Sequence, residues 1–256
     1  VGDFPSTSMD YYSDTSRTSF EAKVLGCDKL SESQLSSLIL SNEVSKAPTH
    51  YVVMDRTLFY PEGGGQLGDQ GSLGGAMVCD TRVENGTIYH LTDGPVPMGD
   101  VSCTVDWDRR RQLMDHHTAV HIVGGSARAL LGTHIWQAGS NKGARYARID
   151  LTHFSRLSRD EINRIEDHSN DVIAADYEVE KLVLPRAEAD ELFGFELYQG
   201  GPPKSGQIRV IRIGNHDVQA CGGTHHDKVG KIGELRIIRS SQVQDGVERL
   251  QIVAGE

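Results

Sequence analysis

The sequence predicts an α+β fold in two parts, a small antiparallel β-barrel followed by a two-layer α+β core. Up to residue 106, short strand-like segments are separated by Gly-Gly, Asn-Gly and Asp-Gly turns, with no clear helix between them. From Trp107 onward, stretches with helical spacing alternate with further strands. We therefore divide the chain into a polar leader (1–18), a barrel domain (19–106) and a core domain (107–256).

The leader and the barrel strands come first along the chain. Residues 1–18 are rich in Ser, Thr and Asp, which is typical of a tether or frayed arm. Apolar or alternating runs then predict strands at 20–25, 51–54, 76–83, 86–91 and 100–106. Residues 28–49 form a surface excursion with one helical turn near 35–40. Several short strands at this spacing favour a small antiparallel barrel.

Helical periodicity begins at Trp107 and extends to about Leu131, where Gly132 fits a helix stop. A strand pair is expected at 133–138 and 144–152. A second helix is predicted over 158–175, because Ser158 and Glu161 form a capping box. The remaining elements are a short helix ending near 193 and strands at 178–184, 207–213, 217–220, 232–238 and 247–253.

Composition narrows the class of protein. The 256 residues are 38% hydrophobic and 24% charged, which is typical of a globular protein. No apolar run is long enough for a membrane span and no signal peptide is visible, so we expect a cytoplasmic protein without a membrane partner. The formal charge of −10 argues against indiscriminate binding of nucleic acid, and we expect no DNA partner. The basic runs Arg109–Arg111 and Lys142–Arg148 are each either a local patch or a solvated face.

Two short stretches carry the candidate metal ligands. His117 and His121 are four residues apart in the first long helix, so they share one face of it. Cys221 and His225 have the same spacing on a pliable, glycine-rich loop. Three nitrogens and one sulfur suit tetrahedral Zn²⁺. His116 lies about 100° around the helix and is expected to face solvent or to support a ligand. Four protein ligands are typical of a structural site, whereas catalytic zinc keeps one position open.

Several motifs in order resemble the editing region of alanyl-tRNA synthetase, in its archaeal form, and the related free-standing editing proteins. They are 59–66 (FYPEGGGQ), 117–121 (HTAVH), 136–139 (WQAG), 147–153 (ARIDLTH) and 219–225 (QACGGTH). The resemblance implies a translation-protein-type barrel followed by a zinc-dependent editing core. It implies hydrolysis of mischarged Ser-tRNA(Ala) or Gly-tRNA(Ala), with the 3′ end of tRNA(Ala) and the other domains of an ATP-binding parent synthetase as partners. A methyl-sized pocket discriminates poorly against glycine and serine, which is why a second, hydrolytic site is needed.

The resemblance also implies roles for individual residues. It makes His117, His121, Cys221 and His225 the zinc ligands. The other implied site residues are Gln137 and Arg249 near the scissile ester and a glycine-rich motif that includes Gly64, Gly65 and Gln66. Backbone N–H groups of Gly222 and Gly223 are candidates for stabilising a developing oxyanion.

One departure from the family concerns substrate recognition. The family often has Thr immediately before the second helix histidine, where this chain has Val120. Thr118, Ser140 and Thr224 are then the candidate polar contacts for the substrate.

Three interpretations follow. In the leading one, zinc either activates a water or anchors the aminoacyl group, and the chain deacylates tRNA as part of a synthetase; the absent initiator Met and the polar leader favour such a fragment. A free-standing trans-editing protein is the second. The third is a non-catalytic zinc module that only docks tRNA.

Overall fold

A computed structural model of the chain describes residues 4–202 and 205–255. Over these residues four α-helices and 15 strands form two compact units, the first ending at Arg111 and the second beginning at Gln112. The predicted mixture of helices and mostly antiparallel strands is confirmed. Among the described residues, no helix combines the length and apolarity needed to cross a membrane.

The first unit is built around a closed barrel. Six strands pair antiparallel in the order β2-β3-β7-β6-β5-β8, and two more form a small parallel pair, β1-β4. Buried Met54, Phe59 and Val78 are among the side chains that fill the barrel. The strands are β1 (Ser8–Met9), β2 (Ser19–Lys29), β3 (His50–Met54), β4 (Arg56–Thr57), β5 (Gly71–Leu73), β6 (Ala76–Glu84), β7 (Thr87–Thr92) and β8 (Gly99–Val105).

In the first unit the sequence pattern missed three short strands, β1, β4 and β5, and misplaced helix α1. Strand β5 has three residues, too few to show alternation, yet it pairs with both β6 and β8 and so closes the barrel. Helix α1 (Glu32–Ser37) begins earlier than the expected turn at 35–40. It does so because Ser31 caps it, accepting from the N–H of Gln34 while the Gln34 side chain accepts from the N–H of Ser31.

The prediction that residues 1–18 form a frayed arm is wrong for residues 4–18; residues 1–3 lie outside the described part. Strand β1 pairs with β4, and Tyr11 is 1% exposed. The Tyr11 ring packs edge-on against Tyr60, at 5.4 Å between centroids. Burial of an aromatic ring outweighs the polar composition of the segment.

The second unit contains two antiparallel sheets and most of the helical residues. The sheets have strand orders β14-β15-β10-β9 and β11-β12-β13. Its elements are α2 (Trp107–Leu131, which starts in the first unit), β9 (Gln137–Lys142), β10 (Ala147–Thr152), α3 (Arg159–Ala174), β11 (Val179–Pro185), α4 (Arg186–Phe193), β12 (Gln207–Ile213), β13 (Asp217–Ala220), β14 (Leu235–Gln244) and β15 (Val247–Ala254).

Helix α2 has the predicted bounds, and residues 113–123 are buried on all sides. Val120 and Ile122 lie in one apolar core with Ile165 of α3 and with Ile149 and Leu250 of the four-stranded sheet. Both predicted capping contacts of α3 are present, between Ser158 and Glu161. A histidine in the middle of α2 is therefore held on a helix that packing keeps rigid.

Three predicted strands begin later than expected. Strand β10 starts at Ala147, because residues 143–146 form the turn that joins it to β9. Strand β9 starts at Gln137, because the N–H of Trp136 bonds to the side chain of Thr152 and not to its backbone. Strand β14 starts at Leu235, because residues 229–232 form a 3₁₀ turn.

The boundary between the units lies inside α2, after its first turns. Arg109 and Arg110 belong to the first unit and are used there as buried ion pairs. Arg109 bonds to Glu43 at 2.8 Å, and Arg110, 1% exposed, forms a bidentate pair with Asp69. These two arginines therefore form neither a solvated face nor a patch for nucleic acid.

Candidate metal centre

The four predicted ligands come together in the second unit. The ligand atoms of His117, His121, Cys221 and His225 all lie within 4.8 Å of one another. Sγ of Cys221 is 3.3 Å from Nε2 of His117 and 3.3 Å from Nε2 of His225. The predicted cluster is confirmed, and we call these four residues the His₃Cys cluster.

The loop that carries Cys221 is tied to strand β12. The N–H of Cys221 donates to the carbonyl of Arg209 at 3.0 Å. Nη1 of Arg209 donates at 2.8 Å to each of the carbonyls of Cys221 and Gly223. The expectation of a pliable loop is therefore wrong, because one guanidinium spans both sides of the glycine turn.

Hydrogen bonds on the far side of two rings orient the imidazoles. Nδ1–H of His121 donates to Oδ2 of Asp217 at 2.9 Å, and Oγ1 of Thr118 lies 3.1 Å from Nδ1 of His225. Each ring thereby turns Nε2 toward the cluster. Sequence reasoning missed Asp217, which is 96 residues from His121. Thr118, proposed as a substrate contact, is fully buried behind His225.

The electrostatics of the cluster suit a thiolate beside two neutral imidazoles, those of His117 and His225. Burial lowers the pKa of the third imidazole, His121, but its hydrogen bonds to Asp217 and Cys221 outweigh burial and raise that pKa to about 9. Burial opposes ionisation of Cys221, but the neighbouring His117 and His225 hold the pKa of its thiol well below the ordinary value. Burial lowers the pKa of His117 to about 4 and also lowers the pKa of His225. Thiolate sulfur and neutral imidazole nitrogen are the forms that bind a metal ion.

The donor set fits Zn²⁺. With bonds of about 2.0–2.3 Å, ligand atoms around tetrahedral zinc lie roughly 3.3–3.8 Å apart. The 3.3 Å separations from Cys221 to His117 and His225 agree with that spacing. A buried set of three imidazoles and one thiolate is typical of zinc and unsuited to hard ions such as Mg²⁺ or Ca²⁺.

A buried cation next to the cluster was not predicted. Lys142, at the end of β9, is 2% exposed, and Nζ donates to Oγ of Ser140 at 2.7 Å. Burial lowers its pKa to about 8, and the charge on Cys221 opposes that shift. Ser140 is thus bonded to a residue that interacts electrostatically with the cluster. The sequence pattern placed Lys142 in an ordinary basic run, so it carried no signal of burial.

Gln137 is the first residue of β9 and is half-buried under the segment that precedes β12. Its N–H donates to Oε1 of Gln199 at 3.0 Å. The backbone of Gly200, at φ +79°, approaches so closely that a Cβ there would lie 3.1 Å from Nε2 of Gln137. The positive φ favours glycine at position 200, and a Cβ there would press on the Gln137 amide. The side-chain amide of Gln137 is therefore confined by this neighbouring segment.

The glycine turn of the cluster supports the sulfur. The N–H of Gly223 donates to Sγ of Cys221 at 3.4 Å. Thr224, the third candidate substrate contact, is fully buried. In this arrangement the Gly223 N–H stabilises a thiolate, and an oxyanion role for Gly222 and Gly223 stays a prediction.

Arg249 lies on the opposite face of its sheet from the core. It is the cross-strand partner of Asp150, and Nε donates to Oδ1 of Asp150 at 2.7 Å. The neighbouring pair, Ile149 and Leu250, points into the apolar core of the unit. The structure therefore groups Arg249 with Asp150 and Arg148, and not with the His₃Cys cluster.

Gly64, Gly65 and Gln66 belong to the first unit. Gly64 (φ +56°) and Gly65 (φ +78°) form a two-residue turn, closed by mutual backbone hydrogen bonds between Gly63 and Gln66. The Gln66 residue is fully buried. The glycines are thus explained by the turn itself.

Three residues that adjoin members of the cluster in the sequence are buried and make their own contacts outside it. Val120 is 1% exposed within the apolar core. His116 is buried and not solvated, with Nδ1 2.6 Å from the carbonyl of Gly143. His226 bonds through Nε2 to Asp115 at 2.6 Å. The members of the His₃Cys cluster are thereby distinguished from the histidines beside them in the sequence.

Two family models match the chain. Residues 5–109 match the class II (A) tRNA synthetases. Residues 208–251, which include Cys221 and His225, match the second additional domain of threonyl and alanyl tRNA synthetases.

Alanine–tRNA ligases resemble the chain over nearly its whole length. The enzyme of Methanopyrus kandleri is 40% identical over 99% of the chain, that of Natronomonas pharaonis 41% over 100%, and that of Haloquadratum walsbyi 42% over 100%. The chain belongs to the alanyl-tRNA synthetase family. Within that family it corresponds to the editing region. It spans about a quarter of the length of these relatives, covering 27%, 27% and 26% of them.

Proposed function

We propose that the chain is the hydrolytic editing part of an alanyl-tRNA synthetase, acting in the cytoplasm on Ser-tRNA(Ala) or Gly-tRNA(Ala). The observation that carries the proposal is the buried His₃Cys cluster, whose four members occupy the two motifs that resemble the editing family. Editing is needed because a pocket for the alanine methyl group discriminates poorly against glycine and serine.

We assign Zn²⁺ to His117, His121, Cys221 and His225. Bound there, zinc supplies Lewis-acid chemistry or a fixed anchor for the aminoacyl group. Asp217, Thr118 and Arg209 hold the ligands in place through the hydrogen bonds described above.

The chain's own polar groups position the reactants. The half-buried amide of Gln137 is suited to hold the attacking water or the seryl hydroxyl, since an amide both donates and accepts. Ser140 offers a hydroxyl held by the ammonium of Lys142. A buried setting strengthens such contacts, because water does not compete for the same groups.

A non-catalytic zinc module that docks tRNA is the second candidate. It is favoured by one observation, the number of protein ligands: four donors close the coordination shell, as in structural zinc sites. This candidate predicts zinc binding and RNA affinity without turnover.

Release of amino acid distinguishes the two candidates. The purified chain, loaded with zinc, is given Ser-tRNA(Ala), Gly-tRNA(Ala) and Ala-tRNA(Ala), with and without a chelator. We expect release of serine and glycine that exceeds release of alanine and is lost with the chelator. Absence of serine and glycine release, or equal release of all three, would contradict the proposal.

Variants tie that activity to the cluster. We expect His121→Ala and Cys221→Ala to abolish both zinc loading and deacylation, because each removes a ligand. The matched controls are His50→Ala and Cys27→Ala, which change residues outside the cluster in the first unit. Full deacylation by the two cluster variants would refute the assignment.

A further inference from the structure

A group of five rings lies in the second unit beside Gln137; two of them are largely exposed and one, His153, is buried. The ring of Phe154 is 82% exposed and that of Phe195 is 70% exposed. Phe154 packs against His134 at 5.3 Å and His153 at 4.6 Å, and Phe195 stacks on Trp136 at 5.5 Å with 20° between the planes. We call these five residues the aromatic strip.

The two parts of the strip are linked through the backbone. His134 and Trp136 flank the buried Ile135 just before β9. Oγ1 of Thr152 donates to the carbonyl of His134 at 2.6 Å and accepts from the N–H of Trp136 at 2.7 Å. The rings are therefore held in place while the faces of Phe154 and Phe195 stay open to solvent.

We propose that the aromatic strip binds the unpaired 3′ end of the RNA by stacking its bases; this inference rests on the proposed function. Single-stranded RNA is recognised chiefly by stacking of splayed bases on aromatic rings and guanidinium planes. The strip offers both kinds of surface, because Cζ of Arg128 lies 5.3 Å from the centroid of the Trp136 ring.

Charge near the strip favours RNA over an apolar protein partner. The chain carries a net charge of −10, yet Arg128 borders the strip and the exposed Arg156 and Arg159 follow Phe154 in the sequence. Of the acidic residues near the strip, Glu196 is paired with Arg128 at 3.7 Å. Glu161, which interacts electrostatically with His153, accepts hydrogen bonds from Ser158. Cations beside stacking rings complement phosphates that link stacked bases.

The position of the strip relates it to the proposed chemistry. Trp136 immediately precedes Gln137, and the segment that carries Phe195 also supplies Gln199, which bonds the Gln137 N–H. A base stacked on the exposed ring of Phe195, which itself lies on Trp136, therefore places the end of the strand next to Gln137. The strip would position the terminal nucleotide and take no part in bond breaking.

Binding of uncharged RNA tests the inference separately from hydrolysis. The probes are an acceptor-stem minihelix of tRNA(Ala) with its unpaired 3′ end and the same stem with a blunt end, and Kd is measured by fluorescence anisotropy. We expect Phe154→Ala and Phe195→Ala each to weaken binding of the first probe about tenfold and to leave the second unchanged. Phe154→Tyr and Phe195→Tyr should keep the affinity, because the ring remains.

Controls make each result decisive. Val183→Ala, which shortens another exposed apolar side chain of the second unit (66% exposed), should change neither Kd. If an alanine variant fails to fold, Arg128→Gln provides a second test. It removes the guanidinium plane but changes no phenylalanine, and it should weaken binding of the first probe. Equal affinity of the wild-type chain for both probes, unchanged Kd in the alanine variants, or a change only in their oligomeric state would overturn the inference. Because no ester is present, a chain that binds the unpaired end but releases no serine would refute the proposed function alone.

Discussion

At the scale of single residues, the His₃Cys cluster depends on side chains that hold its members in place. Asp217 lies behind His121, Thr118 behind His225, and Arg209 beneath the glycine turn. None belongs to a local motif with the residue it supports, so spacing alone does not reveal them. Partners of this kind fix the tautomer and direction of a metal-binding imidazole.

Replacement of Asp217 should weaken zinc binding without removing a ligand. In Asp217→Asn the carboxylate that accepts from Nδ1–H of His121 is lost, so we expect zinc affinity to fall about 10- to 100-fold. Competition with a chromophoric chelator measures the change. Asp167→Asn, a change on the exposed face of α3, is the control and should keep wild-type affinity. Wild-type affinity in Asp217→Asn would show that the hydrogen bond contributes nothing to metal binding.

At the scale of elements, two ion pairs hold the first turns of α2 within the first unit, and the pair of Arg110 with Asp69 is the more deeply buried. Asp69 and Arg110 are both 1% exposed in their side chains. Nη1 and Nη2 of Arg110 also donate to the carbonyls of Thr15 and Leu58, and Asp69 accepts from the N–H of Tyr60. The pair thus joins the helix start to three separate segments of chain.

Removing one charge of this ion pair should destabilise the folded protein more than removing both charges. We expect Arg110→Met to lower the free energy of unfolding by about 3–5 kcal/mol, because it leaves a buried carboxylate without its cation. The double variant Arg110→Met, Asp69→Asn should be more stable than Arg110→Met alone, as measured by urea denaturation. Lys46→Met, at an exposed ion pair, serves as control and should not shift the midpoint. A double variant less stable than the single one would contradict this account.

At the scale of the whole molecule, buried histidines make stability depend on pH. His90 in the barrel is fully buried, and burial lowers its pKa to about 4. Its Nδ1–H donates to the carbonyl of Val52 at 3.0 Å and Nε2 accepts from the hydroxyl of Thr57 at 2.8 Å, so the neutral ring is fully bonded. The folded state therefore disfavours protonation. The resulting contribution to the free energy of unfolding is fully present above the unfolded pKa of about 6.5, and it is lost as the pH falls toward 4.

Substitution of His90 should remove this part of the pH dependence. Between pH 7 and pH 4, we expect the wild-type chain to lose about 3 kcal/mol more unfolding free energy than His90→Gln. Glutamine keeps a donor and an acceptor but does not titrate. Chemical denaturation at a series of pH values gives the difference, and comparing the two proteins cancels the other titrating groups. Parallel stability curves for the two proteins would rule out this role for His90.

Local sequence patterns by themselves determined the main helices and the membership of the His₃Cys cluster. Helix α2 and the capped start of α3 were predicted, because periodicity and capping act within a few residues. The spacing of His117 with His121 and of Cys221 with His225 identified all four members of the cluster. Side chains four apart share a helix face or a tight loop whatever the rest of the chain does.

Only the tertiary structure decided what surrounds those residues. It brought Asp217 to His121, buried Lys142 near Cys221, placed Arg249 with Asp150, and packed Tyr11 in the first unit. It also assembled the aromatic strip from three distant segments. These contacts join residues far apart in the chain, and their energy comes from burial and long-range pairing, which leave no period in the sequence.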